Sequence, residues 1–182
     1  MKNRLYTYLA GWIFLWLPAL LLAQTINSPT AFFLMHSSGN HVAKDAQGGA
    51  VLEAADTPSP QKLTFIPDGN GYYALQSDDG QGYLSLSGQW NTSFTTDPSS
   101  AKALYAIENS GKFFIKLRCK YNNKYLGTDG TTASSAVYSD KDGTDTRHLW
   151  YLTTDVHQAP PADTSVYVIN PAVTRQQFEG WG

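Results

Sequence analysis

The segments "GYLSLSG" (Gly82–Gly88) and "NKYLGTDG" (Asn123–Gly130) set Leu84 and Leu126 42 residues apart. A further step of 42 towards the N-terminus lands on Val42 in "NHVAK" (Asn40–Lys44). Each of the three lies just after a polar turn, "HSSGNH", "QSDDGQGY" and "RCKYNNKY". A short alternating run precedes each turn, carrying Phe33/Met35, Tyr73/Leu75 and Ile115/Leu117. A third run in each unit carries Val51, Phe94 and Val137. A fourth carries Phe65, Tyr105 and Trp150, in "LTFIP", "LYAIE" and "LWYLT". Apolar residues that alternate over four to eight positions between Gly, Asn, Asp and Ser clusters predict strands. The spacing therefore predicts four strands repeated three times, twelve in all, between about Ala31 and Thr154.

One such unit is two hairpins, and two hairpins alone are marginal in water. Three units closing about a common axis bury one apolar core and leave no open sheet edge. A β-sandwich is the alternative, although it requires no threefold spacing. The pattern resembles the β-trefoil, a six-stranded barrel capped by three hairpins, and the expected fold class is all-β.

The remaining sequence brackets that domain. Residues 1–23 carry Lys2 and Arg4, then an apolar run from Leu9 to Ala23, with no acidic residue before Asp45. This is the pattern of a secretory signal cleaved after Ala23. A membrane anchor is the alternative, but the run falls short of the roughly 20 residues that span a bilayer. Residues 24–154 form the expected trefoil, 155–165 ("DVHQAPPADTS") a Pro-rich linker, and 166–182 a separate strand and turn. The chain is expected to be secreted, periplasmic or at the cell surface.

Without Lys2 and Arg4, 11 of the 13 basic residues remain against 15 acidic ones, a net charge of −4. With no basic run, neither nucleic acid nor, after cleavage of the leader, a membrane is an expected partner. Cys119 is the single cysteine, so no intrachain disulfide forms and packing must hold the core. His36, His41, His148 and His157 lack metal-ligand spacing and read as surface or satisfied residues. No cofactor, metal site or catalytic residue is expected. Asn91-Thr92-Ser93 fits the glycosylation acceptor pattern, which also arises by chance.

Among trefoils, the ricin-like sugar-binding family places an Asp after the second-strand apolar residue and a Gln-x-Trp motif in the fourth strand. Ala43, Ser85 and Gly127 stand at the first position. The second reads "LTF", "ALY" and "HLW", with only Trp150 matching. The Tyr-Leu-Gly of "NKYLGTDG" is more similar to the fascin-like branch, whose cytosolic role does not suit a signal peptide. Trefoil protease inhibitors rely on disulfides. The residues that could build a sugar site are Trp90 in the turn of "SGQWNTS" and Tyr121, Asn122 and Asn123 in the first turn of repeat three. An aromatic face stacks on a pyranose while amides read its hydroxyls. The alternative is that Trp90 folds onto its own hairpin and the asparagines make turns.

"VYVINPAVTRQQFEGWG" (Val166–Gly182) resembles the start of the catalytic module of glycoside hydrolase family 30, especially its endo-β-1,6-galactanase branch. Val168, Asn170, Pro171, Gln177, Phe178, Glu179, Gly180, Trp181 and Gly182 carry the resemblance. It implies a retaining glycosidase with two catalytic glutamates on later strands of a (β/α)₈ barrel. Such a barrel takes roughly 250 residues, so the chain as given is expected to be a catalytically inert N-terminal fragment. Glu179 reads as a positioning residue. The resemblance also implies a polysaccharide partner, a galactan-type glycan among the candidates, and the missing barrel itself as a second partner. Two alternatives remain: a spacer that binds no glycan, and a stand-alone secreted binding protein.

Overall fold

The structure is a computed structural model and describes residues 26–58, 60–111 and 113–158. The expected leader, the Pro-rich segment beyond Gln158 and the terminal strand with Glu179 lie outside the described residues.

Twelve strands follow in the expected order. The first repeat holds β1 (Thr30–His36), β2 (His41–Lys44), β3 (Ala50–Glu53) and β4 (Lys62–Pro67). The second holds β5 (Tyr73–Ser77), β6 (Tyr83–Leu86), β7 (Thr92–Thr95) and β8 (Leu104–Ser110). The third holds β9 (Phe114–Cys119), β10 (Tyr125–Thr128), β11 (Val137–Lys141) and β12 (Trp150–Thr153). Short 3-10 turns, Ala101–Ala103 and Thr146–His148, precede the fourth strands of repeats two and three.

Six strands close into a ring, each antiparallel to the next: β1–β4–β5–β8–β9–β12 and back to β1. The other six form hairpins β2–β3, β6–β7 and β10–β11. The hairpins meet in a cycle, through bridges Gly49–Ser93, Val51–Ala136 and Asn91–Tyr138. This cycle caps one end of the barrel, and every third strand has a neighbour from another repeat.

The core is layered by threefold equivalence. Val42, Leu84 and Leu126 are fully buried, as the 42-residue spacing predicts. Leu34, Leu75 and Leu117 form a second layer, and Leu63, Tyr105 and Trp150 a third, all fully buried. Each of these side chains adds roughly 1.5–3 kcal/mol by leaving water.

Three expected registers are corrected. In β1 the residue of the main core is Leu34, while Phe33 is half-buried on the other side; Met35 is fully buried but lies outside that core cluster. The first turn closes from the His36 amide to the Asn40 carbonyl. The other two close one residue later, Ser77 to Gly82 and Cys119 to Lys124. One residue fewer shifts the strand by one, and in a strand that exchanges the faces. Likewise Val51 is only half-buried, with Ala50 and Leu52 inward on either side. In the fourth strands, Leu63 rather than Phe65 stands level with Tyr105 and Trp150: Leu63 opposes Phe32, Tyr105 opposes Tyr73 and Trp150 opposes Ile115, each two residues before the buried leucine of its first strand.

Candidate binding surface

Trp90 sits in the β6–β7 turn, where the Ser87 amide donates to the Asn91 carbonyl at 2.8 Å. Its side chain is 40% exposed. Tyr121 sits in the β9–β10 turn and is 59% exposed, with the Lys102 ammonium 5.0 Å from its ring centre. Both turns are fastened to one residue of β11. The Ser139 amide donates to the Trp90 carbonyl at 2.7 Å, and the Asn122 side-chain amide donates to the Ser139 carbonyl at 2.6 Å. The Trp90 turn and the turn that carries Tyr121, 31 positions apart, thus meet at Ser139 across the boundary between repeats two and three.

The asparagines serve the turn. Asn122 Oδ1 accepts the Lys124 amide at 3.0 Å, while Asn123 takes a left-handed φ of 58° and accepts from Arg118 Nη1 at 2.6 Å. An Asn in this conformation suits a tight turn. Of the four residues expected to face a sugar, Trp90 and Tyr121 offer exposed side-chain surface, whereas Asn122 has both ends of its amide committed and Asn123 its amide oxygen. Lys102 was not legible as a neighbour of Tyr121. It arrives from the 3-10 turn capped by Ser100, which packs between β6 and β9.

Several charged groups of repeats two and three are paired, whereas the Lys102 ammonium has only the Tyr121 ring against it among the described residues. Glu108 accepts from Arg118 Nε at 2.5 Å and from the Tyr125 hydroxyl at 2.7 Å. Burial raises its carboxyl, but these hydrogen bonds hold it below its ordinary value. Lys141, almost buried, lies against Asp129 and Asp140, and Arg147 against Asp145. Among the described residues no cluster of three His, Cys, Asp or Glu side chains could hold a metal ion.

His36, His41 and His148 are buried, which corrects the surface reading; His157 is exposed. Burial lowers all three imidazoles below their ordinary value. Cys119 is fully buried at the position occupied by His36 and Ser77 in the other repeats, and it packs there.

The ricin-like positions are closed. Ala43 and Ser85 are buried, and a Cβ on Gly127 would stand 2.5 Å from the Arg147 carbonyl oxygen. The segment before the fourth strand lies over the second strand, so no carboxylate there could reach a sugar. The corrected alignment of repeat one also moves its Gln-x-Trp position from "LTF" to Gln61-Lys62-Leu63, which places a Gln where the motif has one.

No family model matches the chain, and no curated protein matches it. Solved structures do. The designed threefold-symmetric protein ThreeFoil superposes with a TM-score of 0.60 at 15% identity, over 68% of this chain and 97% of its own. A GH43 β-1,3-galactosidase superposes with a TM-score of 0.63 at 17% identity, over 78% of this chain and 31% of that one. SeviL, in a structure bound to the asialo-GM1 saccharide, gives 0.55 at 15% identity, over 69% and 97%.

The chain is a β-trefoil. At these identities the likeness concerns the fold alone, and this trefoil's binding surface has to be judged on its own side chains. The trefoil spans about a third of the GH43 galactosidase.

Proposed function

We propose that the trefoil is a carbohydrate-binding module, and that its parent is an exported glycosidase. The observation that carries the binding role is that the two turns bearing the exposed Trp90 and Tyr121 are both fastened to Ser139, through the Trp90 carbonyl and the Asn122 amide. Among the described residues, exposed large apolar side chains number three, and two of them stand on these adjoining turns; the third, Phe113, lies in the β8–β9 turn. Flat aromatics held by rigid turns suit the C–H faces of sugar rings. The saccharide-bound neighbour and the galactosidase that shares the fold support the same reading.

The parent enzyme is inferred from the family 30 resemblance of Val166–Gly182. Tethering a modest sugar site to a catalytic barrel raises the enzyme's local concentration on its polymer. The leader pattern of residues 1–23 supports export. A galactan-type polymer is the first candidate substrate, from the endo-β-1,6-galactanase resemblance.

Affinity gels containing galactan, arabinogalactan or xylan test the binding role. Retardation of the wild type, weakened in Trp90→Ala and Tyr121→Ala, supports it. Equal migration of all three proteins on every gel favours a structural spacer. Reading the gene beyond Gly182 tests the parentage: two glutamates at barrel strand ends support it, and a stop codon rejects it.

A further inference from the structure

Where the three hairpins of the cap meet, the pseudo-threefold axis runs through a hollow of about 300 Å³. Its floor is Ala50, Thr92 and Val137, one small residue from the same position in each repeat, all buried. Small side chains at this level leave the axis open, where larger ones would fill it. The walls come from all three repeats: Asp45 and Gln47 from the first, Ser87, Asn91 and Ser93 from the second, Tyr138 from the third.

The backbone around the hollow is already satisfied. Phe94 donates to the Gly48 carbonyl, Leu52 to Ser135 and Ser139 to Trp90, at 2.7–2.8 Å. Thr92 Oγ1 donates to the Val137 carbonyl at 2.7 Å, so its hydroxyl is committed as well. Polar recognition therefore falls to the wall side chains. Asp45 is fixed by the amides of Gln47 and Gly49, which donate to Oδ1 at 2.8 and 2.7 Å. Its Oδ2, and the side-chain amide of Asn91, have no partner among the described residues.

These groups select a chemistry. No Lys or Arg lines the hollow, so an anion has no counter-charge there. One carboxylate without further ligands does not make a cation site. What converges is an ionised acceptor, two amides, two hydroxyls and a phenol above an apolar floor, in a volume at the small end of ligand pockets. That set suits a neutral, compact polyol with one C–H-rich face.

We propose that the axial hollow binds the terminal pyranose of a glycan, with the next sugar leaving past Trp90, the neighbour of Asn91 at the rim. The site rests on the carbohydrate-binding reading and narrows it. A hollow walled by three hairpins receives a chain end, whereas the Trp90–Tyr121 surface alone would take a chain anywhere along its length. Asp45 Oδ2 accepts from two neighbouring hydroxyls, Asn91 donates to and accepts from a third, and the floor meets the sugar's C–H face.

The test uses the full chain, labelled with nitrogen-15 and titrated with galactose, glucose, xylose, arabinose and their β-linked disaccharides. At least one sugar is expected to shift the amides of Gly49, Thr92 and Tyr138. Asp45→Asn keeps the turn acceptor but replaces Oδ2 by a donor, and Asn91→Ala removes the amide. Each should weaken binding about ten-fold or more, as loss of a charged or buried hydrogen bond does. The wild-type shift map decides the matter by itself should either variant misfold. Shifts confined to Trp90, Tyr121 and Lys102, with both variants binding like wild type, overturn the axial site and leave the carbohydrate reading standing. No shift with any sugar overturns both.

Discussion

The indole N–H of Trp150 donates to the Leu126 carbonyl at 2.9 Å, entirely inside the barrel. A fourth strand is thereby pinned to a second strand of the same repeat by a bond that water cannot replace. Trp150→Phe keeps most of the ring volume and leaves that carbonyl unpaired. The expected loss is about 1–3 kcal/mol, read as a fall of the denaturant midpoint at unchanged slope. Tyr105, at the equivalent position, has a buried hydroxyl without a partner. Tyr105→Phe should therefore be neutral or stabilising, and the pair of variants measures the hydrogen bond.

The register of β1 is open to a direct comparison. Leu34→Ala should destabilise by about 2–5 kcal/mol, the range for a leucine in a tight core. Phe33→Ala removes more atoms, yet should change stability less, because Phe33 lies half-exposed against Lys62 and His41. Thermal unfolding of both variants checks this, and the reverse order would restore the register read from sequence.

Gly127→Asp would recreate the ricin-like carboxylate. The new Cβ meets the Arg147 carbonyl oxygen at 2.5 Å and Lys141 Cγ at 2.6 Å, so the covering segment must move. A loss of about 1–3 kcal/mol or more is expected from overpacking, with no gain in sugar affinity.

Acid should unfold the trefoil in two stages. Burial holds the imidazoles of His36, His41 and His148 below 6.5, so the native state keeps them neutral where the unfolded chain binds protons. Stability is full above about pH 7 and falls as pH drops through 6.5 towards the lowered native values. Asp79 and Asp145 act in the same sense at lower pH, since their native values are also depressed. Hydrogen bonds from Lys44 and Arg147 hold them at about 2, and the stability they add is lost between roughly pH 4 and 2. Urea midpoints measured from pH 8 to pH 3 should show both declines, and His41→Phe should flatten the first.

Val42, Leu84 and Leu126 carried the architecture in plain view, since a constant interval between apolar residues survives even when every other residue differs. Tyr105 and Trp150 marked the fourth strands for the same reason. The one-residue difference between the His36–Asn40 turn and its two counterparts was not legible, because turn length shows only when the closing hydrogen bonds are known. Trp90 and Tyr121 were legible as site candidates by residue type. The commitment of Asn122 to Ser139 was not, as it depends on a contact 17 residues away. The axial hollow left no mark at all. Its walls come from three distant turns, and its floor is defined by side chains that are small rather than by any that are distinctive.

The pairing of β1 with β12 runs Phe33 to Thr153 and His36 to Trp150, so both leave the barrel at the same rim. Tension applied through flanking segments would open these two strands like a zipper, breaking hydrogen bonds singly instead of loading them all in shear. A trefoil tethered on both sides is thus mechanically soft along that seam, and its hairpin cap, at the opposite pole, would be the last part to feel the pull.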